Sequence, residues 1–244
     1  MVIGLMILTG CTDTNGANKM NINDYYGDPR ILALIKAAEK NDVEKLNQLV
    51  KEGVDPNTFG KEHMTPLFWA LGRQNKKAMK ALLAVGADPN LKDPDGDSPM
   101  AMAAGAKDIE LIRILLEGGG DPDIKNDVGE PALFIAIGQK RIENVKILLD
   151  YGANINATDR SGTTPVMDAA ILNQYHIVLF LLERGADHKH LADGDLSLAL
   201  YVQEGTVDPQ FDAYETRKKV IKLLEDRGVK FPVTQPSEMH TPAR

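Results

Sequence analysis

Five histidines (63, 176, 188, 190 and 240), one cysteine (Cys11) and one acid set among apolar residues (Asp168) are the groups here suited to metal ligation, nucleophilic attack or proton transfer. His188 and His190 offer two imidazole nitrogens one residue apart. Zinc takes three or four protein ligands, and no third is evident nearby. Asp168 lies in "TPVMDAA" with no partner placed to make it a general base. A lone cysteine excludes an intramolecular disulfide and any Cys-based zinc cage. There is no glycine-rich phosphate loop, no G-x-S-x-G elbow and no H-E-x-x-H pair. The expectation is a protein without catalytic residues, metal or cofactor.

The composition narrows the possible partners. The 244 residues carry a net charge of −7, which argues against nucleic acid, because neutralising phosphates requires clustered Lys and Arg. After residue 11 no apolar run approaches the roughly 20 residues that span a bilayer.

The elements that must position any site are set by a repeat. Gly53, Gly86, Gly119, Gly152 and Gly185 lie 33 residues apart, each after a paired apolar step such as Leu82-Leu83 or Leu148-Leu149. Thirteen residues past successive glycines come Pro66, Pro99, Ala132 and Pro165. Thr65-Pro66 and Thr164-Pro165 read as a polar cap followed by proline at the first helical position. Leu67, Trp69 and Ala70 begin an inner helix, with Trp69 expected in the core. Met79, Leu82 and Leu83 belong to a second helix, which the glycine ends in a left-handed conformation. Stretches such as "DPNLKDPDGD" then form a turn suited to a protruding hairpin. One such unit cannot bury its apolar face alone, so neighbours must stack.

With this period, the starts "TPLFWA" and "TPVMDAA" and the ends "LLAVGADPN", "LLDYGANIN" and "LLERGAD" resemble ankyrin repeats over roughly residues 28–190. The resemblance implies an all-α solenoid of about six helix-turn-helix repeats with hairpin loops. The histidine usual after Thr-Pro-Leu is replaced by Phe68, Ala101, Phe134 and Met167, which exchanges a hydrogen-bonding site for apolar volume. On an inner helix, Asp168 is expected to make a helix-capping or inter-repeat hydrogen bond. The last unit reaches its glycine at Gly228, 43 residues after Gly185, so about ten residues near "GTVDPQFDAY" are inserted between its helices. That insertion is read as a shield for the last apolar face, with a partner contact as the other reading.

The N-terminus answers for the cysteine. Leu8-Thr9-Gly10-Cys11 resembles the bacterial lipoprotein box, which implies cleavage before Cys11 and acylation of it. Residues 1–10 are then a signal peptide, 11–27 a lipidated cysteine and flexible tether, 28–232 the repeat domain and 233–244 a disordered tail. No Lys or Arg precedes residue 8, where a signal peptide normally carries one, and in this the segment departs from the pattern. Thr12 after the cysteine is compatible with transfer to the outer membrane. The expected location is the bacterial periplasm, with the membrane reached by the lipid anchor only.

This architecture is similar to ankyrin lipoproteins that act as immunity proteins against type VI secretion phospholipase effectors. The implied partner is a protein, a cognate toxin or lipase whose cleft is occluded. An envelope scaffold or stress factor is the alternative, as is a cytoplasmic interaction module if the lipobox is accidental. Ankyrin contact positions carried onto this chain fall at the hairpin tips on Lys61, Glu62 and Met64, on Asp95 and Asp97, on Asp127, Val128 and Glu130, and on Arg160 and Thr163. On the inner helices they fall at Arg73, Gly105-Ala106, Gln139, Ile171 and Leu172. Asp95, Asp97, Asp127 and Glu130 are expected to form a carboxylate strip that steers a cationic partner. Met64, Val128, Ile171 and Leu172 are the expected apolar anchors, and Gly105-Ala106 the expected opening for a projecting partner element.

Overall fold

The computed structural model describes residues 21–208 and 212–233. After a single helical turn, α1 (Ile22–Tyr25), six helix pairs follow in order. They are α2 (Pro29–Lys40) with α3 (Val43–Lys51), α4 (Pro66–Gly72) with α5 (Lys76–Ala84), and α6 (Pro99–Ala104) with α7 (Ile109–Glu117). Then come α8 (Ala132–Gly138) with α9 (Ile142–Asp150), α10 (Pro165–Ile171) with α11 (Tyr175–Glu183), and α12 (Leu198–Glu204) with α13 (Asp212–Asp226). The short helices α4, α6, α8, α10 and α12 pack successively as an inner row. The longer partners pack behind them, one buried leucine per repeat joining a single core: Leu46, Leu82, Leu115, Leu148, Leu181 and Leu224.

Local sequence explains where each helix starts and stops. Thr65 and Ser98 accept hydrogen bonds from the backbone N–H of Phe68 and Ala101, and proline occupies the first turn behind each cap. Thr164 departs from the expected pattern. It makes no cap bond, its hydroxyl is buried without a partner, and Met167 supplies no polar group where the family's histidine would stand. Each helix pair ends at a glycine with φ between 86° and 95°, as at Gly119 and Gly228.

Between pairs the chain makes a hairpin with one repeated closing bond. Gly60, Asp93, Asn126 and Asp159 donate N–H to the carbonyls of Met64, Asp97, Glu130 and Thr163. In the fifth hairpin the closure lengthens into a two-stranded ribbon, β1 (Leu191–Ala192) with β2 (Leu196–Ser197). Gly96 holds φ +89° at one tip, and a Cβ there would come within 2.8 Å of the Asp127 Cα. Both facts demand glycine, and the second shows how tightly adjacent tips stack.

A side-chain ladder ties the repeats together at the same period. Asn57 donates to the Gly86 carbonyl and accepts from the Asp88 N–H, and Asn90 does the same with Gly119 and Asp121. Asp123 and Asn156 accept from Asn154 and Asp187. Asn90→Ala removes two bonds across one interface and is expected to cost about 1–3 kcal/mol, read from the denaturant midpoint at unchanged slope.

Both ends depart from the repeat. Residues 22–26, which composition assigns to the flexible tether, fold onto the first hairpin instead. Tyr26 is buried, its hydroxyl donates to the Met64 carbonyl at 2.8 Å, and Tyr25 tilts against Trp69. At the other end α13 packs on α11, fastened by Arg217 to the Val202 and Gln203 carbonyls and by Arg227 to Leu182. The last apolar face is therefore covered by α13. Part of the insertion lies outside the described residues, though Val207 within it packs on the core. Met1–Gly10, Cys11 and residues 234–244 also lie outside them.

Candidate functional site

The hairpins and inner helices meet along a groove of about 460 Å³. Asp97, Asn126 and Glu130 descend into it from two hairpins, and Ala101 and Met102 come from α6. Phe134, Ile135, Gly138 and Gln139 contribute from α8 and its end, Asp168 from α10, and Leu172 from the turn after it. The space is open beside Gly138, where a Cβ would meet nothing within 4 Å.

The hairpin tips are organised by groups that the sequence reading left out. Asp93 accepts from the N–H of Asp95 and Asp97, Asp159 from Ser161 and Thr163, and Asn126 from Glu130. Their 33-residue spacing was the available signal. These bonds aim Asp97 and Glu130 inward. Burial is the main cause pushing the Asp97 carboxyl above the usual value, with Asp93 and Asp127 adding repulsion. Asp127 and Asp97 do lie side by side, but the strip is not one uniform field. Asp95 reaches toward His63 at 3.8 Å, and Glu130 accepts from the Asn126 amide at 3.0 Å.

Asp168 differs from the expectation. It caps nothing and bridges no repeat: among the described residues its carboxyl has neither a hydrogen bond nor an ion pair. Burial, then Glu130 and Asp159, push its pKa up to about 7. Buried acids with displaced pKa values in a cleft mark functional sites more often than chance.

The other expected contact residues divide by burial. Val128, Ile171 and Leu172 are 48, 46 and 42 % exposed, as anchor residues must be. Met64 is only 2 % exposed and is corrected to a core residue, sealed beneath Tyr26. Thr163 is buried as well, its N–H on Asp159. Lys61 and Glu62 are exposed on a short 3-10 turn. Arg73 lies over the Trp69 ring, Gln139 is exposed at the groove rim, and Arg160 donates to the Asp127 carbonyl. Gly105-Ala106 is not an opening. Both are buried, with Arg141 donating to the Gly105 carbonyl and Asn144 to those of Ala104 and Ala106. The room lies one repeat on, at Gly138.

Among the described residues no cluster of three or more His, Cys, Asp or Glu could hold a metal, and no helix is long and apolar enough to cross a membrane. The His190 Nε2 faces the Gly162 carbonyl, and the His188 Nε2 is buried without a partner. Burial, then Arg227 and Lys189, push the His188 pKa down. Trp69 is core, as expected.

The fold has known counterparts. The ankyrin repeat domain of Bcl-3, described as a unique member of the IκB protein family, superposes with a TM-score of 0.68. It is 21 % identical, over 84 % of this chain and 90 % of that one. The ankyrin repeat protein EF0377 gives a TM-score of 0.63 at 26 % identity, over 80 % of this chain and 97 % of that one. No curated protein matches the sequence. A family model described as ankyrin repeats (3 copies) matches three times, over residues 14–93, 34–126 and 100–191. Together these matches span most of the chain, and the chain belongs to the ankyrin-repeat family, whose repeats serve as protein–protein interaction modules.

Proposed function

We propose that the protein is a lipid-anchored periplasmic binder that neutralises a phospholipase-type toxin by occluding its cleft. The observation that carries the binding role is the groove itself. It is open, walled by apolar side chains, lined by Asp97, Glu130 and Asp168, and flanked by exposed Leu172 and Val128. Apolar groups of this kind supply anchor energy, and surrounding carboxylates steer association. Occlusion asks no chemistry of the binder, which suits a site where no nucleophile is paired with a base.

The anchor and the location rest on Leu8-Thr9-Gly10-Cys11 and the polar stretch after it. Acyl chains contribute about 0.8 kcal/mol per buried methylene, so more than one chain holds a protein on a membrane stably. Cys11→Ser, expressed with any upstream start, is expected to leave the membrane fraction and stop incorporating labelled fatty acid. Unchanged fractionation removes the anchor and returns the protein to a cytoplasmic interaction role. Co-expression with a neighbour-encoded lipase tests the toxin: the protein should protect cells, and Leu172→Asp should protect less while staying folded. Failure of the native protein to protect favours an envelope scaffold.

A further inference from the structure

The groove carries a detail that the repeat itself exposes. Trp69, Met102, Ile135, Asp168 and Tyr201 occupy one register position in five successive repeats. Four are apolar or aromatic and one is a carboxylate. Asp97 and Glu130 likewise share a position with Met64 and Thr163. Asp168 therefore breaks the apolar pattern of its position, and its side chain lines the same cavity as Asp97 and Glu130.

Glu130 is held by the Asn126 amide. Among the described residues no Lys or Arg forms an ion pair with Asp97, Glu130 or Asp168, and the neighbouring Arg160 is committed to the Asp127 carbonyl. Asp97 and Asp168 are partly buried; a partly buried carboxylate without a counter-charge costs stability, and the cost is recovered when a cation with matching donors arrives. The cavity has the volume of a typical ligand site. Its walls between the acids are Met102, Ile135 and Leu172, which suit methylene groups and not a hydrated ion.

We infer that this groove receives an arginine side chain from the protein partner, its guanidinium held by Asp168, Glu130 and Asp97 and its methylenes along Met102, Ile135 and Leu172. Arginine fits better than lysine because its five donors fan out in a plane and its head is less strongly hydrated. The raised pKa of Asp168 agrees, since its charged form lacks the cation that would favour it. This inference rests on reading the groove as a partner-binding face. It does not depend on the partner being a toxin, and its test uses only the purified protein and defined peptides.

The test is an amide chemical-shift titration at about pH 8, where Asp168 is mostly ionised, with acetyl-Leu-Arg-Leu-amide and its neutral citrulline twin. The arginine peptide is expected to shift the amides of Gly138, Gln139 and Leu172 and to bind at least about tenfold more tightly than the twin. Asp168→Asn should remove most of that preference, and Glu183→Gln, exposed at the end of α11 and outside the cavity, should keep it. If Asp168→Asn fails to fold, Glu130→Gln on the exposed hairpin takes its place. Equal binding of the two peptides, no shifts at these amides, or an Asp168→Asn protein that keeps the preference overturns the inference. Calcium chloride that shifts the same amides and displaces the peptide also overturns it, assigning the groove to a metal ion.

Discussion

Leu115→Ala is expected to lower the unfolding free energy by about 2–5 kcal/mol. Leu115 is fully buried in α7, the middle of the outer row, where α7 meets α5, α6 and α9. Truncation there leaves a void walled by three helices that are held by their own neighbours and cannot collapse into it. In a stacked array stability is close to a sum of repeat and interface terms, so a defect in a central repeat weakens two interfaces at once. Denaturant unfolding followed by circular dichroism reads the effect. A loss below about 1 kcal/mol would mean that the repeats do not share one packed core.

Asp168→Asn is expected to act in the opposite direction, by an amount that grows as pH rises from about 4 to about 7 and is level above that. The carboxyl titrates near 3.8 in an unfolded chain and at about 7 in the fold. Between those values the folded protein holds a proton that the unfolded chain has released, so stability falls as pH rises through the window. Above it the deficit is complete. A shift of that size corresponds to at most about 4 kcal/mol, and residual solvent contact reduces it to about 2 kcal/mol. Asparagine carries no such charge. The variant should therefore be more stable than the native protein at pH 8 by about 2 kcal/mol and equal to it near pH 4. The charges facing Asp168, on Glu130 and Asp159 in the adjoining hairpins, are both acidic and disfavour its ionisation. Residues kept at a cost to stability are the ones that function demands.

Much of this architecture is legible in the sequence because a repeat fixes spacing. The glycines 33 residues apart place the ends of the helices, and the Thr-Pro and Ser-Pro steps place their starts. What the period cannot convey is depth. Met64 shares its register position with Asp97 and Glu130, and its fate is decided by Tyr26, which folds over it from a segment whose composition resembles a linker. Thr164 looks like a cap and is not one. Gly105 and Gly138 also share a position, yet Arg141 and Asn144 close the space near one and leave the other open. The outcomes at Met64 and Gly105 depend on side chains from outside their own repeat, so no single unit encodes them. Asp168 was legible as an acid on an inner helix. Its importance shows only when the five residues at its register are compared and three of them, Met102, Ile135 and Asp168, are seen to line one cavity.

The most direct measurement is a carbon-detected pH titration of the Asp168 carboxyl in the native protein, with the signal assigned by its loss in Asp168→Asn. A partly buried Asp168 with no ion-pair partner among the described residues predicts a midpoint at about 7, falling when acetyl-Leu-Arg-Leu-amide is added. A midpoint near the ordinary 3.8, unmoved by the peptide, would mean that Asp168 is already solvated or paired, and would contradict the account of the groove as a site held for a partner's cation.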